Sequence, residues 1–295
     1  ARYQRANSDQ GSLSAFEVVK RPSGRSDISI SDGGLLGATS NKPIILLGDV
    51  GVGKTSFFEN LMTSLSDKKT TNTITLHLNL GIRANLTKNV KDFVLDAIPE
   101  YLSSIYGISI LDATFAESVL DEELDQFDRS PAGQLKTIDE MAYQKSRLEF
   151  MQDHIDKIET YVGRCLQFLA GKQSKQIIVF VDNADQRKFE TQQEAFLIAQ
   201  ELATLKGVLV FISLRPSTFL QSKEKGALSG YRNKVLTISP PPADRVIQKR
   251  IEFALRIADG TQKFEGLANV RLNLSSVVAF LKSTLRAIKS NREIR

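Results

Sequence analysis

Gly48-Asp49-Val50-Gly51-Val52-Gly53-Lys54-Thr55 is the stretch that decides the fold. It follows the apolar run Pro43-Ile44-Ile45-Leu46-Leu47 and precedes Ser56-Phe57-Phe58-Glu59-Asn60-Leu61-Met62, which has helical character. The order is strand, G-x-x-x-x-G-K-[ST], helix, the context in which this motif holds phosphates. Glycines let the chain curl so that successive N–H groups point inward, and the helix N-terminus adds partial positive charge. Lys54 is expected to reach the β- and γ-phosphates of a nucleotide, and the Thr55 hydroxyl to hold Mg²⁺. Ser56 offers a second hydroxyl, as a helix cap or an α-phosphate contact.

Working outward, the next decisive stretch is Ile177-Ile178-Val179-Phe180-Val181-Asp182-Asn183-Ala184-Asp185. A buried apolar strand ending in a carboxylate is the Walker B pattern, in which Asp182 holds Mg²⁺ through a water opposite the phosphate loop. Three more strands are expected. Thr73 to Leu80 alternates strictly, Gly207 to Leu214 is apolar and ends in Ser213-Leu214-Arg215-Pro216, and Val235 to Ile238 precedes three prolines. With helices between them, these predict an α/β P-loop NTPase fold: a three-layer sandwich around a central five-stranded parallel sheet.

The intervening segments read as helices. Asn85 to Tyr106 is amphipathic. Asp112 to Asp139 is acidic and helical, interrupted at Pro131-Ala132-Gly133; it lacks the ligand spacing of a calcium loop and is expected to be a solvated face. Met141 to about Ala170 reads as one long helix ended by Gly171. His77 lies between apolar positions, and the only other histidine, His154, has no metal-spaced partner, so His77 is expected to be packed or at the surface. Helices are also expected over 190–206, 244–258 and 273–288. Residues 1–40 form a polar lead-in, 41–240 the NTPase core with a helical insertion at about 112–170, and 241–295 a C-terminal helical lid.

Composition narrows the function classes. The chain has 295 residues, 41% hydrophobic, with a net charge of +5. The apolar runs are too short to span a bilayer, so no membrane partner is expected. The one cysteine, Cys165, sits in a helical pattern and fits a reducing, cytoplasmic setting. Charge is uneven: carboxylates dominate from Lys91 to Glu159, and basic residues dominate from Arg232 to Arg295. That asymmetry suits head-to-tail self-assembly, and the basic part leaves a nucleic-acid surface open. A start at Ala1 and a basic helical end suggest a piece of a longer protein with further domains or subunits. Asn233-Lys234-Val235-Leu236 lacks the aspartate of a guanine reader, which disfavours GTP.

Taken together, Gly48 to Thr55, Ile177 to Asp185 and Ser213 to Pro216 resemble the STAND and AAA+ branch of P-loop ATPases, especially NACHT-like and KAP-like modules. The likeness covers about residues 40 to 290. It implies ATP and Mg²⁺ as cofactors, homo-oligomeric assembly, and ATP hydrolysis (slow if Asp185 is not placed to activate water) coupled to assembly or signalling, often in anti-phage defence. It also implies roles. The water-activating carboxylate that many AAA+ ATPases place directly after the Walker B aspartate is here replaced by Asn183, so that role passes to Asp185. Arg215 resembles a γ-phosphate sensor, with a plain salt bridge as the alternative. Arg232, Arg245 and Arg250 are lesser candidates for an arginine finger supplied to a neighbour. Two rival readings are a DNA-acting AAA+ ATPase of the initiator or loader type and a scaffold that holds nucleotide without hydrolysing it.

Overall fold

The computed structural model describes residues 16–19, 41–68, 72–81, 89–231, 233–239, 243–258 and 275–290. The chain divides into two compact units, the first ending at Ile238 and the second beginning at Ser239. The extended pieces around Ile28, the turn at 32–34, Arg232 and the prolines 240–242 lie outside the described residues.

The first unit is built on a wholly parallel sheet. Its strands are β1 (Phe16–Val19), β2 (Ile44–Leu47), β3 (Thr73–Asn79), β4 (Gln176–Asp182), β5 (Val208–Leu214) and β6 (Val235–Ile238), in the spatial order β1-β6-β2-β5-β4-β3. The five expected strands are present, and β1 adds a sixth at the edge beside β6. Alternation could not assign β1 from its four residues, because so short a run fits strand or helix equally. Strand β5 lies between the phosphate-loop strand β2 and the Walker B strand β4.

Helices cover both faces, as buried parallel strands require. On one face α1 (Lys54–Lys68) packs Phe57, Phe58 and Leu61 against Ile44, Leu46, Ile178, Phe180, Phe211, Leu236 and Ile238. On the other face lie α2 (Val90–Tyr106), α7 (Ile158–Ala170), α8 (Phe189–Thr204) and α9 (Pro216–Lys225). They bury Val94, Ile98, Leu102, Tyr161, Leu166, Phe196 and Phe219 in one core with Leu76, Val179, Val210 and Ile212. Asn89 caps α2 by accepting from the Asp92 N–H.

Between α2 and α7 the chain forms four short or exposed helices: α3 (Ala113–Val119), α4 (Asp121–Arg129), α5 (Leu135–Ile138) and α6 (Glu140–Ile155). The expected single helix from 141 to 170 is two, broken at Asp156 and Lys157, where Lys157 leaves helical geometry with ψ 61°. The break separates two kinds of surface. Leu148 on α6 is exposed, whereas Tyr161, Cys165 and Leu169 on α7 are buried against the sheet. Apolar residues recur on both sides of the break, but only α7 gathers them into a buried stripe; on α6 Met141 and Leu148 are exposed.

The acidic residues here are largely exposed, as expected of a solvated face, and several also cap helices or form surface pairs. Asp112 and Asp139 cap α3 and α6. Glu117 pairs with Arg147 at 2.7 Å, Asp121 with Lys172 at 2.9 Å, and Glu123 with Arg164. Asp128 accepts from the Tyr143 hydroxyl at 2.8 Å. Among the described residues no group of three or more His, Cys, Asp or Glu side chains is placed to hold a metal, and no helix is long and apolar enough to cross a membrane. The second unit contains α10 (Ala243–Ala258) and α11 (Ser275–Ser290), which pack on each other.

Candidate functional site

The glycine-rich loop 48–53 leaves the C-terminal end of β2, an internal strand, and enters α1 directly. The Gly48 N–H donates to the Leu214 carbonyl at 3.2 Å, which ties the start of the loop to the end of β5. Gly51 and Gly53 have φ of 78° and 89°, in the left-handed region that side-chain-bearing residues rarely enter. Alternation of such residues with ordinary ones turns successive N–H groups toward one concavity. Asp49, Val50 and Ser56 are exposed at its rim, and Val52 is half-buried. A cavity of about 300 Å³ is lined by loop residues 49–56 other than Val52, together with Asp182, Asn183, Asp185, Gln186 and Arg215. It brings together most of the predicted site residues, although β2, β4 and β5 are far apart in sequence.

Lys54, at the start of α1, folds its ammonium back over the loop and donates to the Gly48 and Asp49 carbonyls at 2.7 and 3.1 Å. Partial burial lowers its pKa, and the nearby carboxylates of Asp185 and Asp182 oppose that shift. The lysine therefore sits desolvated where an anionic ligand would repay the desolvation.

One residue on, the Thr55 hydroxyl donates to Asp182 Oδ2 at 2.6 Å. Asp182 is the last residue of β4 and is 1% exposed. Burial alone would raise its pKa. The His77 ring beside it, with donors from Ser213, Thr55 and the Asn183 N–H, outweighs that and holds the carboxyl below its ordinary value. Ser213 on β5 bonds Oδ1, as does the Asn183 N–H at 2.9 Å. A hydroxyl and an ionised carboxylate this close form a hard oxygen pair suited to Mg²⁺. That ion takes one or two protein ligands, direct or through water, and fills its remaining positions with water and phosphate.

Asn183 has φ 59° and is held on both sides. Its amide donates to Asn79 at 3.0 Å and accepts from Gln186 at 3.0 Å. The turn that follows, Ala184–Gln186, carries Asp185 to the cavity wall, where it pairs with Arg215 Nε. The carboxylate side chain is 5% exposed and the arginine 36%. Asp185 and Arg215, assigned separate roles by resemblance, are thus joined to each other here. Arg245 and Arg250 belong to α10 in the second unit.

Three contributors went unrecognised in the sequence: Ser213, Asn79 and His77. Ser213 and Asn79 lie near the ends of β5 and β3, and registering those strands on β4 would have placed both beside Asp182. His77 looked like a packing residue because its neighbours are apolar.

An internal parallel strand feeding this loop, with a buried aspartate from a non-adjacent strand bonded to the loop threonine, defines a P-loop NTPase fold. No protein-family model matches the chain, and no curated protein matches it. Among solved structures it is similar to Cdc6p from Pyrobaculum aerophilum, at 14% identity and TM-score 0.38, over 77% of this chain and 47% of that one. It is also similar to the Drosophila ORC bound to DNA, at 14% identity and TM-score 0.37, over 89% of this chain and 56% of that one. The chain spans about half the length of these structures. Likeness at this level carries no inference about activity or partners.

Proposed function

We propose that the chain is an ATP-binding, Mg²⁺-dependent NTPase module of the AAA+ and STAND type, whose nucleotide state governs assembly of a larger protein. The observation that carries this reading is the 2.6 Å bond from Thr55 to Asp182 beside the Lys54 ammonium. It supports joint use of the two motifs on one ligand. Lys54 and the loop amides stabilise phosphate charge. Thr55 and Asp182 hold the metal, which when bound neutralises phosphate oxygens. Asp185 orients the attacking water, and Arg215 meets the γ-phosphate.

The Asp185–Arg215 pair sets the condition for hydrolysis. While Arg215 occupies the Asp185 carboxylate, that carboxylate is a poor base. An incoming γ-phosphate competes for the guanidinium, since both are oxyanions that arginine binds through the same donors. Exchange of Arg215 from carboxylate to phosphate would then free Asp185 and register the nucleotide state in one movement. The same pair also favours a second reading, a nucleotide-held scaffold in which Asp185 never becomes free. Asn183, locked between Asn79 and Gln186, offers no substitute base.

Assembly and a role in anti-phage defence follow from the family resemblance. A DNA-acting role remains the rival and draws on the basic residues of α10 and α11. It predicts DNA binding that weakens steeply with salt, because phosphate contacts release counterions.

ATP hydrolysis measured against protein concentration tests the main reading, with Lys54→Ala and Asp185→Asn in parallel. We expect turnover per chain to rise with concentration, to vanish in Lys54→Ala, and to fall about 10²- to 10⁴-fold in Asp185→Asn, the usual contribution of a positioned base. ATP binding without turnover in any sample would reject hydrolysis and leave the scaffold.

A further inference from the structure

His77 stands on β3 opposite Phe180 of β4, one diagonal step from Asp182. Its ring stacks on Phe180 at 5.2 Å and 27°, and Phe180 stacks in turn on Phe58 of α1 at 4.0 Å and 23°. Phe58 also lies 6.3 Å from the His77 ring at 50°, so the three rings form a triangular cluster that packs the imidazole. It leaves Nε2 buried with no hydrogen-bond partner in good geometry, 3.5 Å from Asp182 Oδ2. A buried, unpaired ring nitrogen is costly, and natural proteins seldom leave one without a purpose. The nitrogen facing this carboxylate must carry the hydrogen. A bare lone pair would oppose the oxygen, which is ionised and already accepts from Thr55.

We propose that His77 is a positioning residue for the metal carboxylate, holding Asp182 Oδ2 through an Nε2–H donor beside the Thr55 hydroxyl. The inference rests on the nucleotide-binding reading above. In the present arrangement Oδ1 has two donors, Ser213 and the Asn183 N–H, whereas Oδ2 relies on Thr55 at 2.6 Å. A threonine hydroxyl can give a lone pair to Mg²⁺ and still donate its hydrogen to Asp182, so Oδ2 keeps that one donor. Oδ2 then has a single close donor where Oδ1 has two. His77 is the remaining donor on that side, and a 3.5 Å contact needs only a small shift to become a hydrogen bond. Carboxylates around metals depend on such supporting donors for their orientation.

Two substitutions separate the donor from the ring. His77→Phe keeps an aromatic ring on Phe180 and removes the donor. His77→Gln keeps an N–H at similar reach and removes the ring. Mg²⁺ is titrated calorimetrically into each protein with ATP present, and ATP binding in EDTA is measured alongside. We expect His77→Phe to weaken the Mg²⁺ response about 10-fold, the lower end for supporting donors at metal sites. Binding in EDTA should be unchanged, and His77→Gln should restore most of the loss. Equal Mg²⁺ response in His77→Phe and wild type would overturn the proposal. So would weakening in His77→Gln that equals or exceeds that in His77→Phe, because a retained donor would then not rescue the site. The ¹⁵N spectrum of the wild-type protein gives an answer that needs neither variant nor nucleotide: a protonated Nε2 and a bare Nδ1 are expected, and the reverse tautomer contradicts the proposal. Absence of any Mg²⁺ effect in wild type would reject the nucleotide reading, while the tautomer would still decide the placement of His77.

Discussion

At the scale of the residue, Asp182 shows how a buried charge is made tolerable. Thr55, Ser213 and the Asn183 N–H satisfy its oxygens, and His77 faces the remaining side. Lys54 is the converse case, a partly desolvated cation whose present partners are loop carbonyls. Charged hydrogen bonds contribute roughly 1.5–3 kcal/mol, so Lys54→Ala should weaken ATP binding about 10- to 100-fold by calorimetry with the fold unchanged. Cys165 supplies a pH prediction. Burial pushes its thiol from an ordinary 9.0 up to about 12, offset only in part by hydrogen bonds with Tyr161 and the backbone. Above pH 9 the unfolded chain releases this proton and the folded chain keeps it. Its contribution to stability is therefore complete below pH 9 and declines toward pH 12, by at most about 1.4 kcal/mol per pH unit. Denaturant titrations between pH 8 and 10.5 should show a shallower alkaline decline in Cys165→Ala than in wild type; identical slopes would contradict the assignment.

At the scale of the element, α1 is held to the sheet by few but large contacts. Phe58 is 2% exposed and stacks on Phe180. Phe58→Ala should cost about 3–5 kcal/mol in chemical denaturation, the usual range for a buried phenylalanine. Phe280→Ala, at a position 67% exposed, should stay within about 0.5 kcal/mol. Gly207, in the turn between α8 and β5, has φ 85°, and an added Cβ would lie 2.6 Å from the Ala170 Cβ. Gly207→Ala should therefore destabilise by about 1–3 kcal/mol through backbone strain and overpacking. Elements of this kind divide the legible from the illegible. The strands β2, β4 and β5 were readable because burial on both faces demands unbroken apolar runs, and the loop was readable because its glycines have no other common use. The break at Asp156 was not, since apolar residues recur on both sides of it and no proline or glycine marks it. The Asp185–Arg215 pair was only half readable: both residues stood out, but their bond depends on strand order. His77 was hidden for the same reason, because its partner comes from a strand about a hundred residues later.

At the scale of the whole molecule, two compact units carry different charge. The first holds the sheet, the site and the acidic helices. The second holds α10 and α11, where Arg245, Lys249, Arg250, Arg256, Lys282, Arg286 and Lys289 face few carboxylates in sequence. A nucleotide that binds only the folded chain should raise stability by about 2.7 kcal/mol at a hundred times its Kd, visible as a higher unfolding midpoint. The central claim is that Thr55 and Asp182 form one Mg²⁺–nucleotide site with the loop. Calorimetric ATP binding with Mg²⁺ and with EDTA, in wild type and Asp182→Asn, tests it most directly. The account predicts that Mg²⁺ tightens wild-type binding at least about 10-fold, one charged metal contact's worth of free energy, and that Asp182→Asn erases most of that gain. Wild-type affinity equal with and without Mg²⁺, or a gain that survives in Asp182→Asn, would contradict it.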